Sequence, residues 1–479
     1  MSSWFDTLDR QVAKLREDPI FSKTIIILFA TSLLIRIYFI LKYNELDYEA
    51  DSYMHYLGSQ AWIHAPFNNF DFLINWWYKS LFTLLSGIVL KFTVENIAMI
   101  KLMNTAIWMG ILYLIYLIAK KHKLSNEAIL FSIFFASFSF LAFRSSISAL
   151  TEPLFTIFIA AAYYFLLKER FALSAALVSA SLLCRSEGTI FIIIWCVYLL
   201  INQKYKSIII LTIFPLCWDL IGFMRTGDLL YIMNNEYPLN TISVYGSGNF
   251  NYYILGLLQY EPIIFLLFIM SFFLCASRFK LAKICVLSLL IFNIIIWKYG
   301  WMGSSGYLRY LVPTVPLMSL LASTSLIEIT KFMKYINIRY ILYLIIALSQ
   351  ITYTTTLING NGWGYGENNY PWVNKELINS GTFIRSLDAN KILIAENPVI
   401  IYFSGRVLGI SAAQWFDRIS GAQKPDFDLN ESNGFYFAYD DEFSENDAKY
   451  KKLDYYLNNS SFKLLKNFSG YVYMFEWKK

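Results

Sequence analysis

Charge is scarce in this sequence. Asp, Glu, Lys and Arg make up 15% of its 479 residues, where a soluble domain carries roughly 25%. That is too little charge to cover a soluble surface of this length. The net charge of +6 is small and comes largely from short basic loops, so nucleic acid is not an expected partner. Cysteine is also rare. Cys184, Cys196, Cys217, Cys275 and Cys285 lie in or beside apolar runs, with no CxxC and no ligand-like spacing. Neither disulfides nor a metal site is expected, and no cofactor. There is no internal repeat of the kind that builds transporters. No cleavable signal peptide is expected either, because the segment before the first apolar run is polar.

Apolar sequence is abundant instead. Hydrophobic residues make up 57% and aromatics 18%, with a mean hydropathy of +0.46. Several runs approach or exceed the roughly 18–20 apolar residues that cross a bilayer. The chain therefore reads as a polytopic helical membrane protein. The runs are Ser22–Leu41, Ile97–Ala119, Ala128–Phe143, Ala149–Leu167, Ala172–Cys184, Thr189–Ile201, Ser207–Gly222, Tyr252–Ala276, Leu281–Trp297, Leu308–Ile327 and Ile338–Leu357. Arg36, inside the first run, reads as a snorkelling side chain or a contact to lipid phosphate.

One further run, Trp76–Phe92, is set apart. Lys79, Thr83, Ser86 and Lys91 mark one side of it, and Leu81, Leu84, Leu85, Ile88, Val89 and Phe92 the other. This pattern predicts a helix lying flat at the interface. Loop charge supports that reading. With a flat helix, thirteen basic residues from Lys120 to Arg339 fall on the same side as Arg10, Lys14, Arg16 and Lys23, against nine on the other side. The positive-inside rule then predicts about eleven spans, with the N-terminus cytoplasmic and the C-terminal segment extracytoplasmic.

Polarity becomes ordinary after Leu357. Glycines at 360, 362, 364 and 366 mark a hinge, dividing a membrane module (1–358) from a small α/β domain (359–479). Lys391–Ala395, Val399–Phe403, Phe435–Tyr439 and Tyr471–Trp477 read as strands, with helices near Trp372–Leu387 and Asp447–Leu457. The N-x-S/T sequons at Asn430, Asn458, Asn459 and Asn467 all fall here, in keeping with an outer location.

Ionisable residues collect on the predicted outer side. The loop 43–96 opens with YNELDYEADSYMHY, which holds Glu45, Asp47, Glu49, Asp51 and His55. Arg144 follows the third span, Glu152 opens the fourth in LTEPLF, and Arg185 and Glu187 form the turn LCRSEG. Arg309 and Tyr310 open the tenth in GYLRYLVPTVP. Each has a bland reading. The arginines serve as interface anchors, Glu152-Pro153 as an ordinary helix start, and Arg185 and Glu187 as partners of each other. Together they read as groups facing one cavity.

The order of these parts resembles the GT-C superfamily of polyprenyl-phosphate-sugar-dependent glycosyltransferases, near the protein mannosyltransferase and lipid A aminoarabinose transferase branch. The resemblance rests on DSYMHY in an acidic first loop, the flat helix, and a span ending in Lys120-Lys121. It continues through TEP, RSEG, R-Y…P…P and IYFSGR. It implies inverting transfer of a sugar, a hexose such as mannose, from a polyprenyl- or dolichyl-phosphate donor among membrane lipids. The acceptor is a glycan, protein or lipid at the outer face. The family's acid matches Asp51. The family often has adjacent acids, whereas here Ala50 separates Glu49 from Asp51; the choice between the two stays open, with Asp51 taken as the base and Glu49 or His55 as an orienting or acceptor-binding group. Arg144, Arg185 and Arg309 are the phosphate candidates, and Glu152, Glu187 and Tyr310 complete the substrate-binding set. Two other readings compete. An oligosaccharyltransferase would carry a WWDYG-type motif, of which Gly362–Gly366 (GWGYG) is a weak echo. A lipid-linked sugar transporter would have little use for the C-terminal domain.

Overall fold

The computed structural model describes residues 19–47, 50–66, 79–236, 247–275, 279–333, 335–358, 374–407, 413–414, 434–440, 444 and 451–477. Glu49, the glycine hinge at 360–366, the polar segment 1–18 and Asn430 lie outside them.

The helices begin with α1 (Pro19–Lys42), α2 (Ala50–His64), α3 (Ser80–Phe92) and α4 (Ile97–Lys121). Next come α5 (Asn126–Phe138), α6 (Phe140–Ser146), α7 (Glu152–Leu167), α8 (Phe171–Ser181) and α9 (Gly188–Ile201). They are followed by α10 (Tyr205–Leu211), α11 (Ile213–Thr226), α12 (Tyr252–Tyr260), α13 (Pro262–Leu274) and α14 (Lys280–Tyr299). A 3₁₀ turn (Leu308–Thr314) leads into α15 (Val315–Lys331), and α16 (Ile336–Ile358) follows. Among the described residues, six stretches are long and apolar enough to cross a membrane, or up to eight if two bent pairs each count as one span. The stretch Leu308–Lys331 is 94% buried and forms the centre, whereas Tyr205–Thr226 is only 17% buried and turns its apolar side chains outward.

The helix expected at Trp76–Phe92 is α3. Its 13 residues span about 20 Å at 1.5 Å each. Thr83 and Ser86 of its polar stripe face inward, whereas Lys91 is exposed. Ser86 Oγ meets Ser59 Oγ of α2 at 2.5 Å, while Leu84, Ile88 and Phe92 are exposed.

Two runs read as straight spans are broken. Ala128–Phe143 bends by 60° between α5 and α6, and Tyr252–Ala276 bends by 116° between α12 and α13. A break at membrane depth frees backbone groups that must find partners inside the protein. Phe138 O accepts from Gln350 Nε2 (2.8 Å) and Thr354 Oγ1 (2.6 Å) of α16. Glu261, at the other bend, accepts from Ser139 Oγ (2.5 Å) and Leu141 N (3.0 Å). Arg36 donates to Ser137 O (3.0 Å) and Ser146 Oγ (2.8 Å) and is fully buried. The snorkelling reading of Arg36 is therefore corrected: its guanidinium satisfies the broken span.

The C-terminal elements are α17 (Lys375–Arg385), β1 (Ile392–Ala395), α18 (Pro398–Ser404), β2 (Ala413–Gln414), β3 (Phe435–Asp440), α19 (Leu453–Asn458), β4 (Phe462–Phe468) and β5 (Val472–Trp477). The strands form one sheet in the order β2-β1-β3-β5-β4, parallel on its β2-β1-β3 side and antiparallel beyond. Val399–Phe403, expected as a strand, is helical. Asn397 Oδ1 accepts from Val399 N at 3.0 Å, Pro398 fills the first turn, and Gly405 closes the end at φ 68°. Local capping outweighs the strand preference of Val, Ile and Tyr. This helix docks on α2. The Tyr402 ring lies 4.9 Å from that of Tyr53 and 5.2 Å from that of Tyr56. The sheet is thus held on the same side as the helix that carries Asp51.

Candidate active site

A cavity of about 110 Å³ opens where six separate stretches meet. Asp51 is the second residue of α2, where a carboxylate faces the positive end of the helix. His55 follows one turn later, its ring 5.3 Å from that of Phe82. Lys79 stands just before α3 with a left-handed φ of 54°. Glu152 begins α7 ahead of Pro153. Arg185 and Glu187 come from the turn between α8 and α9, and Arg309 and Tyr310 from the 3₁₀ turn before α15. All eight line the cavity, together with Asn293, Ser186, Ser304 and Ser305.

The charges alternate along a single chain. Arg185 Nη2 pairs with Glu187 Oε1 at 2.9 Å, and Arg185 Nη1 with Glu152 Oε1 at 2.6 Å. The same Glu152 oxygen lies 3.3 Å from Arg309 Nε, and Arg309 Nη2 pairs with Asp51 Oδ2. Glu152 is fully buried, and its second oxygen, Oε2, makes no hydrogen bond. Aromatic faces support both cations. The Tyr310 centroid is 4.7 Å from the Arg185 guanidinium and 5.8 Å from that of Arg309, and Tyr307 lies 4.5 Å from Arg309. With Lys79, three cations and three carboxylates line the cavity, so the charges of its lining balance. Burial pushes the Glu187 carboxyl up, but the adjoining Arg185 outweighs it and holds the group below its ordinary range.

The structure thus brings together Asp51, His55, Glu152, Arg185, Glu187, Arg309 and Tyr310. Arg144 is not among them. The run ending in Phe143 was read as a straight span that would deliver Arg144 to the surface. The 60° bend places it in α6, where it is buried and its guanidinium lies 6.0 Å from the Phe140 ring. The bland reading of Arg185 and Glu187 as mutual partners is also present, inside the cavity. Lys79 was missed as a site residue because it reads as part of the polar stripe of α3. Asn293 was missed because one amide in an apolar run carries no periodic signal. Asp47, counted with the acidic loop, does not reach the cavity. It is fully buried with Lys101 Nζ 3.8 Å away, and burial pushes its carboxyl up against the pull of that lysine. Among the described residues no three His, Cys, Asp or Glu side chains gather as metal ligands.

No protein-family model matches the chain, and no curated protein matches it significantly. Solved structures do. ArnT from Cupriavidus metallidurans in the apo state superposes with a TM-score of 0.68 at 9% identity, over 95% of this chain and 98% of that one. The same protein bound to undecaprenyl phosphate gives a TM-score of 0.63 at 9% identity, over 94% and 97%. The chain has the fold of ArnT along nearly its whole length, in agreement with the fold implied by its ordered motifs.

Proposed function

We propose that the chain is an inverting glycosyltransferase that takes its sugar from a polyprenyl-phosphate carrier. The observation that carries this reading is one cavity lined by Asp51, Arg185, Arg309 and Lys79, in which Asp51 pairs with Arg309. The fold shared with ArnT, one form of which binds undecaprenyl phosphate, supports it. A neutral hexose such as mannose fits the reading. The acceptor is a glycan, protein or lipid hydroxyl on the extracytoplasmic side.

The chemistry needs few groups. The acceptor oxygen attacks the anomeric carbon from the face opposite the phosphate, the bond to the phosphate oxygen breaks, and the electron pair leaves with the phosphate. Asp51 takes the acceptor proton. Arg309, Arg185 and Lys79 stabilise the charge that grows on the phosphate. Glu152 turns its unpaired Oε2 toward sugar hydroxyls. Arg309 pairs with Asp51, so a donor phosphate that draws on Arg309 also frees the base. His55, one turn along α2, orients the acceptor.

In the proposed topology the three shorter helices α7, α8 and α9 also cross. That completes eleven spans with the N-terminus in the cytoplasm and the sheet domain outside.

The test is single-turnover transfer by the purified protein, with undecaprenyl-phosphate-linked hexoses as donors and a membrane extract as acceptor source. Asp51→Asn keeps shape and hydrogen bonding but cannot take a proton. Its rate should fall on the order of 10²–10⁴-fold with donor binding retained. Glu49→Gln should lose less. A dead Glu49→Gln beside an active Asp51→Asn swaps the two roles, and two active variants would remove this loop from the chemistry.

A further inference from the structure

Two of the three acids of the proposed site, Asp51 and Glu152, lie on stretches about 100 residues apart. One buried polar face of α4 grips the backbone leading to each. Lys101, Asn104 and Thr105 stand at i, i+3 and i+4, on one side of the helix, and each is at most 1% exposed. Lys101 Nζ donates to Tyr43 O (2.9 Å) and Leu46 O (2.6 Å), on the stretch ahead of α2 and Asp51. Asn104 Nδ2 donates to Ser148 O and Leu150 O, both at 2.7 Å, just ahead of Glu152. Thr105 Oγ1 donates to Ser146 O at 2.9 Å. Asp47 ties the two stretches directly, its Oδ2 accepting from Ala149 N at 2.9 Å.

We propose that Lys101, Asn104 and Asp47 are positioning residues, a register on α4 that sets Asp51 and Glu152 at the spacing which one guanidinium, Arg309, spans. The inference rests on the glycosyltransferase reading. None of the three lines the cavity, so they act through the backbone they hold. The residues between α6 and α7 are not helical, so their carbonyls depend on side chains for partners. Only a donor with two N–H groups on one atom serves Ser148 and Leu150 together, and the Asn104 carboxamide supplies it. Releasing these carbonyls lets Glu152 drift relative to Asp51, and a displacement of 1 Å can cost on the order of 10² in rate.

The test compares Asn104→Leu with Gln350→Leu. The second variant also removes a buried carboxamide from a carbonyl, Phe138 O, but at the α5–α6 bend. Asn104→Leu should lower the single-turnover rate about 100-fold, keep undecaprenyl phosphate affinity within about threefold, and regain part of the rate as Asn104→Gln. Gln350→Leu should lose melting temperature with its rate nearly unchanged. Thr105→Val, which loses one bond, serves if Asn104→Leu does not fold. A second readout needs no turnover. The melting-temperature losses of Asn104→Leu and Arg309→Ala should fall short of additive in the double variant, because both disturb one linkage. Additive losses, or equal rates for Asn104→Leu and Gln350→Leu, overturn the register. If the wild type moves no sugar while the losses stay non-additive, the functional reading fails and the register stands.

Discussion

Replacing Glu152 with glutamine removes one negative charge from a cavity where three carboxylates balance three cations. The carboxylate holds Arg185 at 2.6 Å and Arg309 at 3.3 Å through one oxygen. Breaking a buried pair from one side destabilises by about 3–5 kcal/mol. Here the lower end applies, because Arg185 keeps Glu187 and Arg309 keeps Asp51. The empty protein should therefore melt at a lower temperature. A bound phosphate reverses the sign. In the variant the two arginines no longer divide themselves between Glu152 and the ligand, and the net positive charge left in the cavity favours a phosphomonoester, which carries about −1.5 to −2 at pH 7. A charge-assisted hydrogen bond contributes about 1.5–3 kcal/mol, so undecaprenyl phosphate should bind about ten- to a hundredfold more tightly. Sugar transfer should nevertheless slow, because glutamine offers sugar hydroxyls a weaker acceptor. The assay is the melting temperature of protein in nanodiscs titrated with undecaprenyl phosphate. The expected result is a lower starting point and a steeper ligand-dependent rise than in the wild type. Weaker or unchanged binding by Glu152→Gln would refute the charge-balance argument.

Two other expectations follow from the same cavity and topology. Arg309→Ala and Arg185→Ala should each weaken undecaprenyl phosphate binding by about ten- to a hundredfold, measured by the same titration, and unaltered binding in both would make them structural partners of the acids only. A reporter that works only in the cytoplasm, fused after Lys479, should stay silent, and strong activity would reverse the proposed orientation.

The sequence by itself determined the class of the protein. Apolar runs, scarce charge and a late shift in composition are local properties that survive any folding. They located the helical stretches, the strands Ile392–Ala395, Phe435–Asp440 and Val472–Trp477, and the stretches that carry Asp51, Glu152, Arg185 and Arg309. Tertiary structure decided what those residues face. Arg309 meets Asp51 across 258 positions and Arg36 meets Ser146 across 110, and no window of local pattern reports such a meeting. The bend at Ser139 was hidden because apolar residues continue on both sides while the axis turns by 60°, whereas the 116° bend falls at Gln259, Glu261 and Pro262, a short polar break inside a long apolar run. Val399–Phe403 misled because its β-branched residues outvote, in composition, the Asn397 cap that fixes its first turn. Lys101, one of the nine basic residues assigned to the outer side, and Asp47, counted with the acidic loop, are both fully buried. A lone charge in sequence reads as solvated, and only packing reveals that its partner lies on another helix.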